Sequence, residues 1–129
     1  MRTPHESARG TAAVEFALVL PLVLIVALAL VQTGLLVRDR LLVEAAARAG
    51  ARAAAVHDDQ AAIREAAARA APSLDDAALD LVVNREGGRG DPVTVAVRYM
   101  APVRVPFVGW LFRGSVGMSA STTARQEFG

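Results

Sequence analysis

The stretch from Phe16 to Val37 carries no charged residue, and nothing else in the chain constrains its structure as strongly. Its 22 positions are mostly Leu, Val, Ala and Ile. As a helix rising about 1.5 Å per residue it spans roughly 33 Å, enough for a hydrocarbon core of about 30 Å. Pro21, Gln32, Thr33 and Gly34 are its only interruptions. Pro21 falls in the first turns, where it can kink a helix without destroying it. Arg38, Asp39 and Arg40 end the run abruptly. A cleaved secretory signal is the competing reading, with Arg2 and Arg9 before the run and an Ala27-Leu28-Ala29 triplet as its cleavage site. Against it, the apolar run continues for eight residues past Ala29, and helix-forming residues follow directly. The expectation is one membrane helix over 11–37.

Charge does not orient that helix. Arg2, Arg9 and the terminal amine precede it, partly offset by Glu6; Arg38, Arg40, Arg48 and Arg52 follow, interleaved with Asp39 and Glu44. Counting Arg alone leans toward a cytoplasmic C-terminal side, so the positive-inside rule decides nothing.

The residues just ahead of the run are the informative ones. They read Arg9-Gly10-Thr11-Ala12-Ala13-Val14-Glu15-Phe16, then Ala17-Leu18-Val19-Leu20-Pro21. A carboxylate beside so long an apolar run is costly to place in lipid, and such groups usually have a partner. The plain alternative leaves Glu15 in the headgroup region, marking where the helix meets the membrane.

The hydrophilic leader ending in Gly10, with an acidic residue five positions later, resembles a type IV prepilin signal. The wider string from Gly10 to Pro21, Gly-x-x-Ala-Val-Glu-Phe-Ala-Leu-x-x-Pro, is similar to the TadE-like minor pilins of tight-adherence pilus systems. The resemblance implies that a prepilin peptidase removes residues 1–10 on the cytoplasmic side, leaving a mature chain that starts at Thr11 with Glu15 fifth. It implies a minor pilin or pseudopilin in the bacterial inner membrane, leader inside and residues 38–129 outside as an extracytoplasmic pilin-like domain. Its partners would be the major pilin, other minor pilins and the inner-membrane assembly platform; incorporation in the filament is left open. Many type IV pilins start the mature chain with Phe rather than Thr, which leaves N-methylation of Thr11 open.

Beyond the span the helix is expected to continue to about Val56, since no Pro interrupts it and alanine is the strongest helix former. Arg40, Glu44, Arg48 and Arg52 make one charged stripe, and Leu42, Ala45, Ala46, Ala49, Ala53 and Val56 an opposing apolar face. Ala46, Gly50 and Ala54 are a small-residue series that permits close approach of another helix. Asp58 or Asp59 can cap a second helix, ended by Pro72, that turns Ile63, Ala66, Ala67 and Ala70 to the core. The period then changes. Leu79, Leu81 and Val83 alternate with polar or outward positions as a strand; Glu86 to Pro92 is a Gly-rich turn. Val93, Val95, Val97 and Tyr99 face one side of a second strand, and Val116, Met118, Ala120 and Thr122 one side of a third. The fold class is α+β: a long N-terminal membrane-spanning helix running into a small helix-plus-antiparallel-sheet domain.

Between the second and third strands, Phe107, Trp110 and Phe112 place three of the chain's six aromatics within six residues, flanked by Arg104 and Arg113. This segment either folds back over the sheet to complete its core or forms an exposed apolar tip. Such a tip would touch the membrane interface or a neighbouring subunit.

No catalytic constellation emerges. The chain has 129 residues, so one domain at most, and a net charge of +1, which gives no basic face for nucleic acid. With no cysteine there is no thiol nucleophile, disulfide or Cys-based metal site. His5 and His57 lack neighbouring ligands, and no G-x-S-x-G motif occurs. Asp58-Asp59 and Asp75-Asp76 suit helix caps better than acid/base pairs. Gly87-Gly88-Arg89-Gly90 does not join a strand to a helix as a phosphate loop would. Arg89-Gly90-Asp91 matches a cell-adhesion tripeptide, a match frequent by chance in Gly-rich turns. The expectation is a non-enzyme that needs no cofactor, metal or small-molecule substrate. The rival from another class is a signal-anchored extracytoplasmic binding or sensor module that keeps its first ten residues.

Overall fold

A computed structural model describes residues 4–107, 109–110 and 114–128, with side chains from Gly10 onward. One helix, α1, runs unbroken from Pro4 to Val56, 53 residues that include Pro21. Two causes make it a single rod. In the apolar run, a helix keeps every backbone hydrogen bond within the segment, as lipid requires. Past Arg40, alanine at half of the positions favours helix intrinsically. None of the most apolar window is buried inside the molecule, as a membrane span requires.

At His57-Asp58-Asp59 the chain turns. The Asp59 side chain accepts the Ala61 N–H at 2.9 Å, capping α2, which spans Gln60–Ala70. Pro72 lies just past its end, where it cannot continue a helix. Asp75 caps a single 3-10 turn, Asp76–Ala78, in the same way. The carboxylates expected to cap therefore divide. Asp59 and Asp75 cap, while Asp58 lies 3.3 Å from Arg85 and Asp76 lies 3.7 Å from Arg64.

Three antiparallel strands follow, β1 (Leu79–Arg85), β2 (Pro92–Pro102) and β3 (Ser115–Arg125), in the order β1-β2-β3. The register sets inward residues in rows. Val97 pairs with Leu81 and Ala120, and Tyr99 with Leu79 and Met118. Val93, Val95, Val97, Tyr99 and Ala101 are all buried on the central strand, whereas the inner face of β3 is only half-buried. On the outer face the Thr94 and Thr123 hydroxyls bond across the pair at 2.8 Å. The turn after β1 is held from within, because the Asp91 carboxylate accepts the Gly88 N–H at 3.0 Å and Gly90 adopts φ 93°. That internal bond gives Asp91 of the Arg-Gly-Asp tripeptide a structural use.

The buried face of α1 lies roughly 135° round the helix from where its sequence pattern places it, at about 100° per residue. Val43, Ala46, Ala47, Gly50, Ala51, Ala54 and Ala55 are buried; Leu42, Ala45, Ala49 and Ala53 are half-buried, and Val56 is exposed. With alanine on every side the helix has no single dominant stripe, so the fit of its neighbours decides. The branched side chains of β2 demand small residues opposite. Gly50 is the closest point: a Cβ there would stand 3.1 Å from Val95 Cγ1 and 3.7 Å from both Ala67 and Leu81. The Ala46-Gly50-Ala54 series is thus used inside the molecule, where helix, helix and sheet meet.

The far end of α1 is closed by β1 and the C-terminal tail. Arg85 donates to the carbonyls of Ala54 and His57, both at 2.9 Å, and the Glu127 N–H donates to Ala55 O at 2.8 Å. These bonds fill carbonyls that a helix end leaves without partners.

Candidate functional site

Two groups of residues lie along α1, one at each end of the apolar run. At the N-terminal end, the helix passes straight through the Gly10–Thr11 bond. Gly10 is exposed, with nothing within 4 Å of where a Cβ would be. Thr11 and Glu15 stand one turn apart on the same face, about 6 Å along the axis. Glu15, Phe16 and Pro21 are all exposed along the bare helix. From Gly10 to Pro21 the segment is an exposed rod, and its one carboxylate, Glu15, sits where polar and apolar residues meet.

At the other end the chain builds a polar clamp. Gln32, inside the apolar run, is 0% exposed, and its Oε1 accepts the backbone N–H groups of Arg104 and Val105, both at 3.0 Å. Two turns on, Asp39 is likewise 0% exposed, and its Oδ2 accepts Arg104 Nη1 at 2.8 Å. Arg38 Nη1 lies 3.8 Å from the other Asp39 oxygen, while Arg38 Nη2 donates to Ser73 Oγ at 2.8 Å. Spacings of three, four and seven keep these residues on one helix face. Leu28, Ala29, Leu35 and Leu36 on that face are half-buried, and Val43 continues it into the core.

The clamp ties the segment after β2 to α1. Val105 packs inward at 9% exposure, whereas Phe107 is 82% exposed and Trp110 75%. Phe107 adopts φ 64°, a left-handed conformation that costs a bulky residue about 1–3 kcal/mol. Both expected behaviours of this loop are therefore present in part. Its first residues fold back, though onto α1 rather than over the sheet, and its described aromatics stand out as a tip. Phe112 lies outside the described residues. Val37, the expected end of the span, is exposed beside the clamp.

The charged stripe does not face open solvent throughout. Arg40 Nε lies 3.1 Å from Glu44 Oε1, and Arg40 Nη1 donates to Ser119 O at 2.6 Å, bracing the edge strand β3. Arg48 stands 3.8 Å from Glu44, and Arg52 is exposed.

The sequence pattern marks Gln32 only as an interruption, Asp39 as the end of the run and Arg104 as a flank. A signal for their role is present: an amide amid apolar residues is expensive unless another part of the fold answers it. What it does not reveal is that the answering groups are backbone N–H groups more than 70 residues on.

A family model described as "TadE-like protein" matches residues 10–52. The matched stretch starts at Gly10, holds Glu15, the apolar run, Gln32 and Asp39, and ends where α1 lies in the domain core. Over these residues the chain is similar to TadE-like proteins of tight-adherence systems, in line with the resemblance drawn from Gly10 to Pro21. No curated protein and no solved structure matches the chain.

Proposed function

We propose that this chain, similar to TadE-like proteins over residues 10–52, is a minor pilin or pseudopilin that supports assembly of a tight-adherence pilus or secretion system. The observation that carries the reading is where the family match begins: at Gly10, with a carboxylate five residues later and a bare apolar helix beyond. The chain sits in the bacterial inner membrane, leader in the cytoplasm and domain outside. A prepilin peptidase cuts after Gly10. Its role is structural rather than catalytic, and its partners are the major pilin, the other minor pilins and the assembly platform.

The chemistry of the cut explains why Glu15 stands where it does. Cleavage leaves a positive amine on Thr11, and Glu15 holds a carboxylate one turn deeper, where an unpaired charge is disfavoured. When subunits pack as a helical bundle, the amine of one reaches Glu15 of the next, and each charge removes the other's cost. An intrachain pair would ease insertion without selecting a neighbour.

Co-expression with a prepilin peptidase tests the cut. Intact mass should show loss of residues 1–10 and a product beginning at Thr11, and Gly10→Leu should abolish the loss. Retention of the first ten residues by the wild-type chain would favour an anchored binding module. Glu15→Leu separates the two pairings: insertion and cleavage should persist while crosslinking to the major pilin collapses. Normal crosslinking would remove Glu15 from the mechanism.

A further inference from the structure

We propose that the tip bearing Phe107 and Trp110 beds in the lipid interface on the C-terminal side of the span, a second membrane contact that sets the height and rotation of the domain. It rests on the reading of α1 as a membrane span. Its occupant is the headgroup–acyl boundary of a phospholipid leaflet.

Depth is the first argument. The loop is tied to Gln32, five residues before Val37 within the apolar run. That is about 7.5 Å along the axis on the lipid side of the run's end. With the run's end at the headgroups, a loop fastened there lies close to the boundary of the hydrocarbon core. Chemistry is the second. At that depth water is scarce, and a backbone N–H without a partner costs several kcal/mol. Gln32 Oε1 takes up two such groups at the start of the loop, while its own Nε2 is enclosed without a hydrogen-bond partner among the described residues. Exposure is the third. Phe107 and Trp110 turn away from the core, Phe107 through a strained φ. Tryptophan favours this boundary, with its ring among the acyl chains and its N–H among the headgroups. Charge agrees. Arg38 is exposed and Arg104 partly so at this end, while the one carboxylate between them, Asp39, is enclosed. The two guanidinium groups are held by Asp39 and Ser73, and each keeps part of its side chain exposed at this level.

Trp110 is the only tryptophan in the chain, so native fluorescence reads this position alone. The full chain is reconstituted into phosphatidylcholine–phosphatidylglycerol vesicles in which part of the lipid is brominated, either near the headgroup end or near the methyl end of the acyl chain. The expected result is blue-shifted emission, most of it lost with shallow bromines and less with deep ones, and weak quenching by aqueous acrylamide. The paired substitution Phe107→Trp with Trp110→Phe moves the reporter, and its indole should show the same preference for shallow bromines. Strong acrylamide quenching with no bromine effect overturns the proposal. So does a blue shift without bromine quenching that fades as protein is diluted into excess lipid, since that reports a second copy rather than lipid. A chain that washes off the vesicles in carbonate overturns the membrane reading and this proposal with it.

Discussion

Replacing Arg104 with Ala isolates the clamp, because the two halves of its ion pair are unequally enclosed. Asp39 is 0% exposed and holds a 2.8 Å bond to Arg104, whose side chain is 34% exposed. Without Arg104 a buried carboxylate remains, with only Arg38 at 3.8 Å on its other oxygen. Stranding one member of a buried pair costs about 3–5 kcal/mol; the partial exposure of Arg104 and the residual help of Arg38 place this case near 3 kcal/mol. The reverse change, Asp39→Ala, removes the costly charge itself and leaves an arginine that can reach water, so it should cost about 1 kcal/mol. In the double variant no charge is stranded, and the loss should be about 1.5 kcal/mol rather than the sum of about 4. The assay is pulse proteolysis of the detergent-solubilised full chain across a urea series. Arg104→Ala should raise the unfolded-to-folded ratio of the domain by roughly a hundredfold, at about 1.4 kcal/mol per decade. Equal costs for the two single variants, adding in the double, would refute the asymmetry and with it the enclosure of Asp39.

Gln32→Leu should strand the N–H groups of Arg104 and Val105 at about 1–3 kcal/mol each, and trypsin should then cut after Arg104 faster than in wild type. Gly50→Leu should unfold the domain, since even a Cβ meets Val95 at 3.1 Å, whereas Gly50→Ala trades that crowding against about 1 kcal/mol of helix propensity; urea midpoints compare them. Gly90→Ala should cost about 1 kcal/mol for its φ of 93°, read the same way. Arg85→Lys should lose part of the hold on the Ala54 and His57 carbonyls, seen as faster amide exchange in the last turn of α1.

The rod, the second helix and all three strands were legible because each has one strong local cause. A charge-free run, alanine density, an Asp before a helix, and period-two alternation act over a few residues. The rotation of α1 was not legible, since Ala46, Ala49 and Ala53 look alike from the sequence and only the shape of β2 distinguishes them. For the candidate site, Gly10, Thr11 and Glu15 could be picked out through the resemblance to prepilin signals, because the string that carries it lies on one stretch of chain. The clamp could not, because Gln32 and Asp39 acquire meaning only once β2 delivers Arg104 to them. The apolar loop was visible as composition, and its place beside the span follows from tertiary closure.

The unbroken passage of α1 from span to core has a mechanical consequence. A module hung from a membrane usually gains reach from a flexible linker, which lets it sweep a volume and meet partners at many angles. Here no joint separates anchor from domain, and 53 helical residues make a shaft about 80 Å long. A tilt of about 10° at one end then displaces the other by roughly 14 Å. The domain therefore moves only as its span moves, with no flexible linker to take up a tilt or a twist between them.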